Sequence, residues 1–108
     1  MESYLLFESQ EPLECAQVPR HYALAAGLKK EGNRVTLFLV QNGVAAARRS
    51  LRSDALSQLI DAGVEVLADD FSLRERGMSP LRLTAGVKVA TIAEALDQFA
   101  EGRKALWL

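Results

Sequence analysis

Cysteine occurs once in the 108 residues, at Cys15, so an internal disulfide is excluded and a thiolate-rich zinc site cannot be built from this chain. Histidine also occurs once, at His21, and proline three times. That stock is too small for a His-rich metal site or a proline-rich linker, and no metal is expected. Lys plus Arg number 13 against 14 Asp plus Glu, a net charge of −1. The electrostatic footprint of a phosphate-tracking protein is missing, so direct nucleic-acid binding is not expected. The longest β-like apolar stretch, Val35 to Val40, is far too short to span a bilayer, and Met1-Glu2-Ser3 has no basic segment ahead of an apolar one. The expectation is a cytoplasmic protein with no membrane association. Neither G-x-G-x-x-G nor G-x-x-x-x-G-K occurs, which removes the dinucleotide and phosphate-loop fingerprints, and no cofactor is implied.

What is present is a balanced chain, 49% hydrophobic and 25% charged, as expected of one domain spanning residues 1–108. Short apolar runs rich in β-formers alternate with stretches of helical spacing, the pattern of βα units around a parallel sheet. Five strands are predicted: Tyr4–Phe7, Arg34–Val40, Val64–Ala68, Val87–Val89 and Lys104–Leu108. The second is almost continuously apolar, as a central strand covered on both faces would be. Helices are predicted over Arg20–Glu31, from Ser53 through Leu56, Leu59 and Ile60 to Gly63, and from Thr91 to Gly102. Thr91-Ile92-Ala93-Glu94 has the capping-box form, and Ile92, Leu96, Phe99 and Ala100 make one apolar stripe. Weaker helical spacing covers Val44–Leu51 and Phe71–Arg76. The fold class is therefore α/β, a single three-layer domain with a mostly parallel five-stranded sheet and helices on both faces, as in flavodoxin-like proteins.

In such sheets ligands collect outside the carboxyl ends of the strands. That singles out Glu8-Ser9-Gln10-Glu11 leading to Cys15, then Gln41-Asn42-Gly43, then Asp69-Asp70-Phe71. Cys15 is either a nucleophile at the rim or a small packed hydrophobe; Glu11 and Glu14 would raise its thiol pKa, while Arg20 and His21 are the nearby groups that would favour a thiolate. Asp69 or Asp70 is placed to cap the following helix, or the two form a cation site or, in a dry pocket, an acid–base site. Asn42-Gly43 reads as a turn tolerant of positive φ whose N–H could also touch a ligand. Arg48, Arg49 and Arg52, with Arg74 and Arg76, form a solvated face, an anion contact, or a pairing with the acidic loop across a subunit boundary. Trp107, near the end of an apolar strand, belongs to the core or to a subunit contact.

The order of these pieces resembles the DsrE-like family, the small α/β proteins of sulfur relay that include the TusD type. Four segments carry the resemblance: Val35-Thr36-Leu37-Phe38-Leu39-Val40-Gln41-Asn42-Gly43-Val44; Asp69-Asp70-Phe71-Ser72-Leu73-Arg74-Glu75-Arg76-Gly77-Met78; Gly86-Val87-Lys88-Val89; and the closing helix and strand. Family members that move sulfur carry a cysteine eight residues before the Arg-Gly glycine, and its thiolate holds a persulfide. That position here is Asp69, whose carboxylate cannot hold one. The resemblance implies a trimer or hexamer, with sulfur-relay proteins as partners. The leading expectation is a non-catalytic binding or accessory subunit with a pocket bounded by Glu8, Asn42, Asp69 and Asp70, Gly43 lying beside them. Two alternatives stand: a sulfurtransferase-type carrier using Cys15 as its catalytic residue, and a small-anion or metabolite-binding module with Arg74 or Arg76 as the contact.

Overall fold

The computed structural model describes residues 1–50 and 54–108. Its elements are β1 (Ser3–Glu8), α1 (Val18–Lys30), β2 (Arg34–Leu39), a 3₁₀ segment (Gln41–Ala47), α2 (Asp54–Asp61), β3 (Glu65–Asp69), α3 (Asp70–Glu75), a 3₁₀ turn (Pro80–Arg82), β4 (Lys88–Ala90), α4 (Ile92–Ala100) and β5 (Lys104–Trp107). The strands pair in the order β4-β3-β2-β1-β5, and every pairing is parallel. β2 is central, as its apolar run demands, and only Arg34 at its start is exposed.

Chain direction decides the layering. From β1 to β4 each crossover steps the same way along the sheet, and the last one returns across it to β5. With right-handed crossovers the first three helices must cover one face and α4 the other. The buried clusters agree: Val18, Tyr22 and Ala25 of α1, Leu56 and Leu59 of α2 and Leu73 of α3 pack on Leu6, Leu37, Leu39 and Val66. On the opposite face Ala95 of α4 joins Leu5, Phe38, Leu67 and Ala90. The amino end of that second face is polar. Arg103 Nη1 donates to Thr36 Oγ1 at 2.6 Å and to Gln98 Oε1 at 2.7 Å, and Thr36 Oγ1 donates to Glu65 Oε1 at 2.8 Å. Burial draws the Arg103 guanidinium below its ordinary pKa and nearby Arg34 adds to the effect, while Glu65 and Glu101 oppose it.

Several boundaries differ from the sequence-based expectation. Helix α1 begins at Val18 rather than Arg20, because Pro19 is pre-set for a first helical turn where its missing N–H costs nothing. Strand β4 is shifted by one residue, to Lys88–Ala90. In place of the helical spacing expected over Val44–Leu51, whose last residue Leu51 lies outside the described residues, a 3₁₀ segment starts one residue after β2 and ends at Ala47. Arg48 then leaves it in extended conformation and bridges antiparallel to Leu83. Thr91 caps α4, accepting from Glu94 N–H at 3.3 Å. Ser53, expected to cap α2, and Arg52, expected in the arginine group, lie outside the described residues.

Gly43 is fixed by close approach and not by a positive φ. The non-glycine residue with positive φ is Gln41, at 51°. A Cβ on Gly43 would instead fall inside van der Waals contact with the carbonyl oxygen of Glu8, on the neighbouring strand end. Gly43→Ala is therefore expected to lower unfolding free energy by about 2–3 kcal/mol through overpacking. Gly27→Ala, in the middle of α1 with open space around its would-be Cβ, is expected to stabilise by about 0.5–1 kcal/mol. Urea titration of the two variants beside wild type checks both signs.

Candidate functional site at the carboxyl end of the sheet

Strands β1, β2 and β3 end side by side, with Glu8 opposite Leu39 and Leu39 opposite Ala68. Asp69 closes β3 and is the N-cap of α3: its Oδ2 accepts from Ser72 N–H at 3.0 Å and from Ser72 Oγ at 2.6 Å. Both residues are buried. A carboxylate here satisfies a helix-start donor that would otherwise be orphaned, the general reason Asp is favoured at this position. The serine hydroxyl also accepts from Gln41 N–H at 2.8 Å, joining the start of α3 to the turn after β2. Asp70, one residue on, points elsewhere and pairs with Arg74 at 3.1 Å on the exposed side of α3.

Arg76 links the same two loops from outside. Its Nη2 and Nε donate to Asn42 Oδ1 at 2.9 and 3.3 Å, and its Nη1 donates to the Ser72 carbonyl at 3.2 Å. Beside this pair is a cavity of about 240 Å³ lined by Glu11, Glu14, Asn42, Ala45, Arg48, Arg76 and Met78. Of the four residues expected to bound a pocket, Asn42 lines it. Glu8 and Asp69 are buried in local bonds, and Asp70 is tied to Arg74. Sequence reasoning did not place Glu11, Glu14, Arg48 and Met78 together. They come from three separate loops, and no local pattern announces that convergence.

Glu8 is fully buried at the end of β1, and its Oε1 lies 2.6 Å from Nδ1 of His21 on α1. Toward an ionised carboxylate the ring nitrogen is the donor. Cys15 is free, partly exposed, and packs against the larger core from the loop between β1 and α1. Among the described residues no three His, Cys, Asp or Glu side chains gather as a metal site would require. Among the described residues the buried polar atoms without a hydrogen-bond partner are Nε and Nη2 of Arg103, whose Nη1 is bonded, and the hydroxyl of Tyr22. Burial raises its pKa most, and the charges of Glu8 and Glu11 raise it further.

Two measurable consequences follow from these bonds. Asp69→Ala should cost about 1–2 kcal/mol by removing the cap, whereas Asp69→Asn keeps an acceptor and should cost less; urea unfolding separates them. Tyr22 ionises near pH 10 in the unfolded chain and at higher pH when folded, so above that point the folded state holds a proton the unfolded state has lost. Stability then falls as pH rises and is unaffected below. Tyr22→Phe should remove this alkaline slope and be neutral or stabilising at pH 7, because an unpartnered hydroxyl contributes nothing. A clear loss of stability at pH 7 would mean the hydroxyl is bonded.

The fold has counterparts of known structure. A protein of unknown function from Methanobacterium thermoautotrophicum, MTH1491, superposes with a TM-score of 0.84 at 21% identity, over 99% of this chain and 98% of that one. The YchN protein of E. coli gives 0.87 at 24% identity, with both chains covered completely. A conserved protein of unknown function from Bacteroides thetaiotaomicron, BT1422, gives 0.76 at 15%, over 97% and 94%. No curated protein matches the sequence significantly. A family model, however, matches residues 5–108, taking in every strand end and loop of the site, and by that match the chain belongs to the DsrE/DsrF-like family.

Proposed function

We propose that this chain is a cytoplasmic, homo-oligomeric accessory subunit of sulfur trafficking, working by binding rather than by holding a persulfide at position 69. The observation that carries this reading is the bonding of Asp69. The residue standing where sulfur-moving relatives are expected to carry a thiolate is a buried carboxylate engaged by two Ser72 donors, and it has a structural task. Family membership supplies the sulfur-relay context.

The assembly part of the reading rests on the surface. On α4, Ile92, Leu96 and Phe99 are 48%, 62% and 50% exposed although they form one apolar stripe, and Trp107 on edge strand β5 is 62% exposed. Trp107 is therefore not core; its ring stacks on Phe7 with centroids 5.5 Å apart and leaves the outer face uncovered. Apolar groups of this size gathered on one side of a small domain mark a contact surface. A second copy of the chain is the occupant this reading takes, in keeping with the trimer or hexamer implied by the resemblance.

The chemical test is intact-mass analysis after incubation with a persulfide-charged cysteine desulfurase, with a thiol-blocked control. The expected result is no reductant-releasable gain of a sulfur atom, with Cys15 still open to alkylation. A gain that disappears in Cys15→Ser would make the chain a carrier and overturn the accessory reading. For assembly, sedimentation of wild type should show an oligomer at micromolar concentration, and Leu96→Glu should shift it toward monomer with unchanged helical circular dichroism. A monomeric wild type would contradict the oligomer.

A further inference from the structure

We propose that Arg48, Arg49 and Arg82 form a binding site for a tetrahedral oxoanion, a phosphate or sulfate group either free or carried on an ester. This proposal is independent of the sulfur-trafficking reading and uses neither Arg74 nor Arg76. The site is built by a backbone clamp between two distant segments. Arg48 bridges to Leu83, Arg49 N–H donates to the Arg82 carbonyl at 2.8 Å, and Thr84 donates to the Ala47 carbonyl from N–H at 2.8 Å and from Oγ1 at 3.1 Å. Ala47, Leu83 and Thr84 are buried, so the three arginines spring from a backbone anchored in the core while their side chains face outward.

Between them is a cleft of about 200 Å³, lined by Arg48, Arg49, Gly77, Met78, Ser79 and Arg82. At about 30 Å³ per water molecule, that is room for an oxoanion with some of its hydration. The lining holds three guanidinium groups and no carboxylate. Among the described residues no Asp or Glu lies within ion-pair distance of any of the three. Arg74 is engaged by Asp70, Arg76 by Asn42, and Arg103 by Thr36 and Gln98. Of the three, Arg48 also borders the cavity that holds Glu11 and Glu14 but makes no ion pair there, and three like charges around one small cleft repel each other. An anion reverses the sign of that term, and the planar guanidinium fork matches the oxygens of phosphate and sulfate.

Arg48 also lines a neighbouring, more apolar cavity of about 270 Å³ that includes Leu13, Tyr22, Ala46 and Leu56. An ester could place its head on the arginines and its alkyl part there, so the two sources of the oxoanion differ in where they touch the protein.

The test is a titration of the full chain followed by calorimetry and amide NMR shifts, with inorganic phosphate, sulfate and monobutyl phosphate at ionic strength held constant with chloride. Saturable binding of phosphate and sulfate is expected. Arg49→Ala and Arg82→Ala should each weaken it roughly tenfold, as loss of one charge-assisted hydrogen bond does. Arg49→Lys should weaken it less, and Arg20→Ala on exposed α1 should leave it unchanged. Tighter binding of monobutyl phosphate, with shifts at Ala46 and Leu56, would identify an ester; equal affinity without those shifts would identify the free oxoanion. Phosphate and sulfate binding no stronger than chloride, or binding retained in the folded Arg49→Ala, Arg82→Ala double variant, would overturn the proposal.

Discussion

One serine hydroxyl ties the carboxyl end of the sheet together. Ser72 Oγ donates to the buried Asp69 carboxylate at 2.6 Å and accepts from Gln41 N–H at 2.8 Å. The first bond closes the start of α3. The second holds the turn after β2, where Gln41 takes a φ of 51°, a conformation that costs energy for a residue with a side chain. That turn delivers Gly43 against the Glu8 carbonyl and sets Asn42 within reach of Arg76. The ends of three strands are thus locked through one hydroxyl, and a cysteine in place of Asp69 would lose the carboxylate oxygen that holds it.

The sheet itself is asymmetric. Three helices cover one face, and α4 alone covers the other, touching it chiefly through the small side chain of Ala95. A helix seated on an alanine cannot bury its larger neighbours, so Ile92, Leu96 and Phe99 stay half-exposed. This follows from topology: a single crossover returning over the whole width of the sheet has no second helix to pack beside it.

Much of this was legible in the residues. The apolar run Val35–Val40 marked the central strand, Thr91 and Glu94 marked a helix start, and Asp69 was recognisable as a possible cap from its place after a buried strand. The amphipathic stripe of α4 was visible too, but periodicity says which residues share a face, not whether that face meets its own sheet. Gly43 looked like a turn glycine because its real constraint, the approach to Glu8, is non-local. The small residues Gly43 to Ala47 fit α and 3₁₀ geometry alike, and the clamp to Leu83 and Thr84 decides where the segment ends. The same clamp brings Arg82 to Arg48 and Arg49, a convergence that no spacing in the chain records.

Asp69 has a structural task, carried out through Ser72. A double-mutant cycle with Asp69→Ala, Ser72→Ala and both together measures that task directly by urea unfolding. A coupling of about 1 kcal/mol or more is expected, within the range found for residues that share a hydrogen bond. Additive losses, with no coupling between the two positions, would contradict it.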